Sequence, residues 1–156
     1  MVETQTDHAD VKIHPPILTL LHVTTALLLS WMFPFPVSLS QIFKIAGVVL
    51  VLAGLTQAFL AVRQFNRAHT TLDPHGQVRA LVTGGPYRFS RNPIYLGFVL
   101  ILAGFPLFSG TVWGAILVPV LILNLNNLVI QHEEAYLEKK FGEAYAGYRS
   151  RVRRWL

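Results

Sequence analysis

The sequence predicts an all-α integral membrane protein with about four transmembrane helices and an interfacial C-terminal helix on the cytoplasmic side. Three observations predict it. Charged residues make up 13% of the 156-residue chain, about half the roughly 25% of a soluble domain. Apolar residues, 53% of the total, are gathered into four segments. Most of the basic residues lie between or after those segments, in two clusters. The length suits one domain, taken as residues 1–156.

The apolar segments run over about 16–33, 42–62, 94–108 and 112–130. Crossing the hydrocarbon core takes roughly 20 helical residues, with a range of about 17–25. The second and fourth segments meet this, and the first, stopped by Pro34-Phe35-Pro36, lies near the lower limit. The third is short and holds Gly104 and Pro106, which predicts a kink or an incomplete span. The tight link Ser109-Gly110 predicts that the third and fourth segments form an antiparallel hairpin. The polar start, with Glu3, Asp7 and Asp10, lacks the basic region and small-residue cleavage site of a secretory signal, so the first segment is expected to be retained.

Orientation follows from the basic residues. Arg63, Arg67, Arg79, Arg88 and Arg91 lie between segments two and three, and Lys139, Lys140, Arg149, Arg151, Arg153 and Arg154 lie in the tail. The other two connections carry no charge. With four spans, both basic regions and both termini fall on one side, expected to be the cytoplasm. The compact loops and short chain point to a bacterial inner membrane. Topology explains these arginines better than a nucleic-acid partner does, since they flank membrane helices. Residues 131–148 read as a helix with one apolar face, formed by Tyr136, Leu137, Phe141, Tyr145 and Tyr148, which either lies on the membrane or folds back over the loops.

Several chemistries are excluded. With no cysteine there is no disulfide, thiolate nucleophile or Cys-based metal site. The histidines have no ligand spacing, so no metal is expected. There is no G-x-G-x-x-G after a strand and no serine in a nucleophile elbow. Two polar clusters remain. One is the connection 64–93, which is too polar to span and too long for a simple link. Its Gly85 permits close approach of a ligand, and Asn92-Pro93 reads as a capped helix start. Tyr87, Tyr95 and Trp155 read equally well as interfacial anchors. The other cluster is Gln131-His132-Glu133-Glu134, whose adjacent acids at a membrane boundary need a cation, a donor or a ligand. In segment four, Asn127, Gln131 and Glu134 fall on one α-helical stripe, and Asn126, Ile130 and Glu133 on its neighbour. Asn124, Asn126 and Asn127 either bond between helices or line a substrate tunnel, which His22, Thr24, Thr25, Thr56 and Gln57 would share.

The run Leu81-Val82-Thr83-Gly84-Gly85-Pro86-Tyr87-Arg88-Phe89-Ser90-Arg91-Asn92-Pro93-Ile94-Tyr95-Leu96-Gly97 resembles the signature of the isoprenylcysteine carboxyl methyltransferase and phospholipid methyltransferase superfamily. Glu133-Glu134, Leu137, Phe141-Gly142, Tyr145 and Tyr148 resemble that family's C-terminal element. Together the two cover about residues 60–156. The resemblance implies S-adenosylmethionine as methyl donor, and a lipophilic or small amphipathic acceptor reaching the site at the cytoplasmic membrane face. By position it implies cofactor contacts from Arg79, Ala80, Leu81, Val82, Gly85, Tyr87, Asn92, Pro93, Ile94, Tyr95 and Glu133. Arg91, Asn92, Tyr95 and Glu134 are the candidate catalytic residues, and Asn126, Asn127 and Val129 the candidate substrate lining. Two positions depart from the pattern: Asn92 stands where the family often has histidine, and Val129 where prenylcysteine-methylating members place an arginine. An NADPH-dependent membrane reductase of related architecture and a non-catalytic membrane partner protein are the alternatives.

Overall fold

The computed structural model describes residue 9, residues 11–71 and residues 78–156. The acidic residues expected near the N-terminus, and positions 72–77 of the predicted loop, lie outside these. The described chain is helical: α1 (Pro15–Met32), α2 (Gln41–Arg67), a 3-10 turn (Gly85–Arg88), α3 (Pro93–Ser109) and α4 (Trp113–Leu125). A π-helical turn, Asn126–Ile130, joins α4 to α5 (Gln131–Phe141), and α6 (Glu143–Arg151) follows. Prolines begin α1 and α3, where a missing N–H costs nothing.

Among the described residues, three helical rods are long and apolar enough to cross a membrane: α1, α2 and the continuous run Trp113–Phe141. The apolar α3, with 17 residues, is shorter; its rise of about 25 Å falls a little below the roughly 30 Å hydrocarbon core. The outer faces of α1 and α2 expose large apolar side chains, among them Trp31 (80%), Ile42 (72%) and Phe59 (66%). So wide an apolar surface is unfavourable in water and favourable against lipid tails. The protein is an all-α integral membrane protein.

The tightest packing joins α2 to α3. A Cβ on Gly54 would lie 2.6 Å from the carbonyl oxygen of Gly97, and one on Gly97 2.6 Å from that of Gly54. Seven residues along each helix the arrangement repeats: a Cβ on Gly104 would lie 2.6 Å from the Gly47 carbonyl. These four glycines bring two antiparallel backbones into contact, as small residues do between membrane helices. Gly104 therefore serves packing, and Pro106 sits inside a helix that continues to Ser109.

Polar pairs fix α1 and the far end of the bundle. His22 Nδ1 donates to the Leu18 carbonyl at 2.8 Å, which leaves Nε2 to accept from Asn124 at 3.2 Å. Asn124 thus takes the interhelical role. Trp113 Nε1 donates to the Phe33 carbonyl at 2.8 Å, and Ser30 and Thr111 hydroxyls pair at 2.9 Å.

Three expectations are corrected. Helix α2 runs to Arg67, so Arg63 and Gln64 are helical and the connection is shorter than 64–93. The C-terminal helix is broken: Gly142, at φ +50° and ψ −122°, lies in a region that glycine reaches without strain, and it separates α5 from α6. The tail then folds back over the loop. Finally, the π turn adds a residue to the α4–α5 junction and shifts the helical register beyond it.

The glycine seam predicts a contrast between two alanine substitutions. Gly54→Ala forces a Cβ onto backbone and is expected to cost about 1–3 kcal/mol of stability. Gly147→Ala, where a Cβ meets nothing within 4 Å, is expected to be neutral or slightly stabilising. Unfolding in detergent micelles followed by circular dichroism checks this; equal effects would contradict the seam.

Candidate functional site

One cavity lies where the ends of α2, α3 and α5 meet α6 and the loop before α3. It is partly open to solvent. Its walls are Phe65 at the end of α2 and Thr71 after it, Val78, Ala80, Leu81, Val82 and Tyr87 from the loop, and Arg91, Asn92, Ile94 and Tyr95 around the start of α3. Glu133, Glu134, Tyr136, Leu137, Tyr145 and Tyr148 close it from the C-terminal side, and Ala9 from the N-terminal side. Ala9 and the C-terminal helices thus reach the same end of the bundle.

The two neighbouring acids have different partners. Glu134, almost fully buried, is held by two guanidinium groups: Arg91 Nη2 lies 3.0 Å from its Oε1, and Arg154 Nη2 lies 2.6 Å from its Oε2. Arg154 Nε adds a bond of 3.2 Å to Oε1, and the carboxylate raises the Arg154 pKa further above its ordinary value. The tail is sewn down beside them. The Arg91 amide donates to the Arg153 carbonyl at 2.9 Å. Ser90 Oγ and Asn92 Nδ2 both donate to the Arg154 carbonyl, at 3.2 and 3.1 Å. The buried Tyr148 hydroxyl donates to the Tyr87 carbonyl at 2.7 Å, and Trp155 packs against the bundle core.

Glu133 makes no ion pair with any described residue. It accepts a hydrogen bond of 2.6 Å from the Tyr95 hydroxyl and lines the cavity. Around it stand aromatic side chains, with Phe65 and Tyr87 packed edge to face at 5.6 Å. Burial, and then the charge of Glu133, push the Tyr87 hydroxyl well above the ordinary phenol range. Burial also raises Tyr145, to about 12, and Tyr148, with Arg91 pulling both back. These phenols stay neutral near pH 7, acting as walls and hydrogen-bond donors rather than bases. A carboxylate without a counter-ion, facing a wall of aromatic rings, is suited to an organic cation.

Of the residues singled out from the sequence, Ala80, Leu81, Val82, Tyr87, Arg91, Asn92, Ile94, Tyr95, Glu133 and Glu134 line this cavity. Others do not. The Arg79 amide bonds the Thr70 hydroxyl at 2.8 Å. Gly85, at φ +58°, lies against the Gln64 side chain, so its close approach is to protein. Pro93 is buried at the start of α3, and Asn92, although it precedes that helix, uses its side chain on the tail instead of as a cap.

The candidate substrate-lining residues stand outside this cavity. Val129 is fully buried in the core, Asn127 is exposed, and Asn126 accepts from Arg154 at 3.5 Å. The π turn explains this: its extra residue brings Asn126 onto the side of Glu134, where both bond Arg154, rather than into line with Glu133. His22, Thr24, Thr25, Thr56 and Gln57 are likewise absent from the cavity wall.

The residues missed are instructive. Tyr136, Leu137, Tyr145 and Tyr148 were readable as an apolar face, though not as a cavity wall. Phe65 and Ala9 carry no local signal. Neither does the bonding of Ser90 to Arg154, since only the folded chain brings them together.

Comparison with known proteins bears on the same region. The phospholipid methyltransferase family pattern matches residues 42–144. An uncharacterized protein of Haemophilus influenzae is 43% identical over 63 residues, covering all of that protein and 40% of this chain. The protein-S-isoprenylcysteine O-methyltransferase of Schizosaccharomyces pombe is 31% identical over 85 residues, which are 54% of this chain and 36% of that one. The chain thus matches little more than a third of that enzyme's length. No solved structure matches. With the matched region reaching from the second residue of α2 into α6, the chain belongs to the phospholipid methyltransferase family, a family of membrane methyltransferases.

Proposed function

We propose that this protein transfers a methyl group from S-adenosylmethionine to a lipophilic or small amphipathic acceptor, with the donor held in the cavity between the loop before α3 and helices α5 and α6. The observation that carries this is Glu133, a carboxylate without a counter-ion among the described residues, set in a wall rich in aromatic rings. The residues present fit the donor: a carboxylate for its positive groups, and Tyr87, Tyr95, Leu81 and Leu137 for its apolar parts. The second reading, an NADPH-dependent reductase, fits less well. Several phosphates need several cations, and Arg91 is the one cationic residue among the described cavity walls.

When bound, S-adenosylmethionine supplies a sulfonium methyl: the acceptor's lone pair bonds the methyl carbon as the carbon–sulfur bond breaks and its electrons return to sulfur. The chain's part is alignment and exclusion of water. Tyr95 fixes the direction of the Glu133 carboxylate through its hydrogen bond. Asn92, unlike a histidine, takes up no proton near neutral pH. An acceptor that reacts as an anion therefore suits this site, because no proton need be removed. Glu134 is a positioning residue, locking Arg91 and the tail. In the proposed orientation the cavity faces the cytoplasm of a bacterial inner membrane, with both termini on that side. The acceptor reaches it sideways from the bilayer.

Calorimetry on the purified protein separates the roles of the two acids. Glu133→Gln is expected to weaken S-adenosylmethionine binding by about 1.5–3 kcal/mol, at least tenfold, while the fold is kept. Wild-type affinity in that variant would refute the site, and heat with NADPH but none with S-adenosylmethionine would favour the reductase. Glu134→Ala strands Arg91 in the protein interior and is expected to cost about 3–5 kcal/mol of stability in a chemical unfolding titration. A green fluorescent protein fused after Leu156 is expected to fluoresce, as it does when cytoplasmic; a dark fusion, with an active periplasmic reporter at the same point, would reverse the orientation.

A further inference from the structure

Arg91 has more hydrogen-bonding capacity than its surroundings use. Its side chain is only 10% exposed and forms part of the cavity wall. Nη2 is taken by Glu134 at 3.0 Å, but Nε and Nη1 are buried with no hydrogen-bond partner among the described residues. A buried donor without an acceptor forfeits its hydration for nothing, and for a charged group the loss is larger. Native proteins rarely hold such an atom without a purpose. The charge balance points the same way. Glu134 has its counter-ion in Arg154, 2.6 Å away, so this cluster sets two guanidinium groups against one carboxylate. Glu133, bonded to Tyr95, makes no ion pair with Arg91.

We propose that Arg91 is a carboxylate subsite of the cavity, its free donors taking the oxyanion of a bound molecule. That oxyanion comes from one of two sources: the α-carboxylate at the amino-acid end of the methyl donor, or an acidic head group on the acceptor. The first rests on the donor assignment made above, and the second stands without it. With Arg91 and Glu133 both in the wall, the cavity offers one site for an anion and one for a cation. No bond is made or broken at Arg91; it is a binding and orienting group.

The test is calorimetry on the full-length protein in detergent micelles, wild type against Arg91→Gln and Arg91→Lys. Three ligands are titrated separately: S-adenosylmethionine, its decarboxylated form, which lacks only the α-carboxylate, and decanoate as a simple amphipathic acid. Each variant keeps the Glu134–Arg154 pair and the backbone bond from residue 91 to Arg153, and a melting curve verifies folding. If the donor supplies the anion, Arg91→Gln binds S-adenosylmethionine at least tenfold more weakly, binds the decarboxylated form as wild type does, and Arg91→Lys falls between. If the acceptor supplies it, S-adenosylmethionine affinity is unchanged and decanoate binding is lost in Arg91→Gln. Arg91-dependent decanoate binding by a protein that ignores both donors would keep the subsite and refute the donor assignment.

A variant equal to wild type for all three ligands overturns the proposal. So does an equal loss for both donor forms, which would make Arg91 structural, and so does a wild type that binds none of the three. Should both variants unfold, the wild type decides by itself: it must prefer S-adenosylmethionine over the decarboxylated form at least tenfold, or bind decanoate competitively with the donor. Failure of both overturns the subsite.

Discussion

Glu134 holds the cytoplasmic-facing end of the proposed orientation together. Its carboxylate meets Arg91 at the start of α3 and Arg154 in the tail, so three segments far apart in the chain share one charge. Burying charges is expensive, and such a cluster lasts only where geometry and further hydrogen bonds repay the lost hydration. Here the repayment comes from the tail's own carbonyls, which accept from Ser90, Asn92 and the Arg91 amide. The cavity is what these contacts enclose. Tyr148 adds a second tie between α6 and the loop, through the Tyr87 carbonyl.

The neighbouring acid is free because of helical geometry. Adjacent residues on an α-helix point about 100° apart. One acid therefore turns to the tail while the other turns to Tyr95 and the cavity. The π turn just before them sets which is which, since its extra residue places Asn126 on the Glu134 side. The seam of α2 and α3 supplies a rigid base. Backbone contact through Gly54 and Gly97 fixes where α3 begins, and with it the positions of Arg91, Asn92 and Tyr95.

Much of the fold was legible in advance. Long apolar runs with basic ends show the spanning helices, and Ser109-Gly110 shows the hairpin. The cavity was legible in outline, because the run around Gly85–Tyr95 and the pair Glu133-Glu134 are both polar where the chain leaves the apolar segments. What escaped depends on pairing between distant residues. Gly104 suggested a kink or an incomplete span, and its packing role shows only with its partner Gly47. Asn126 and Asn127 were assigned by α-helical periodicity, which the π turn breaks. Glu134 looked reactive because its two arginines lie 43 and 20 positions away in sequence, and no local pattern announces such a meeting.

The central claim is that a sulfonium ligand sits between the loop and the C-terminal helices. Photolabelling tests it most directly: the protein is irradiated with methyl-tritiated S-adenosylmethionine, digested, and the labelled peptides sequenced. The account predicts label in peptides from residues 78–95 and 131–148, and its loss when excess unlabelled donor is present. Label confined to the opposite end of the bundle, around residues 33–41 and 109–113, or label that unlabelled donor does not displace, would contradict it.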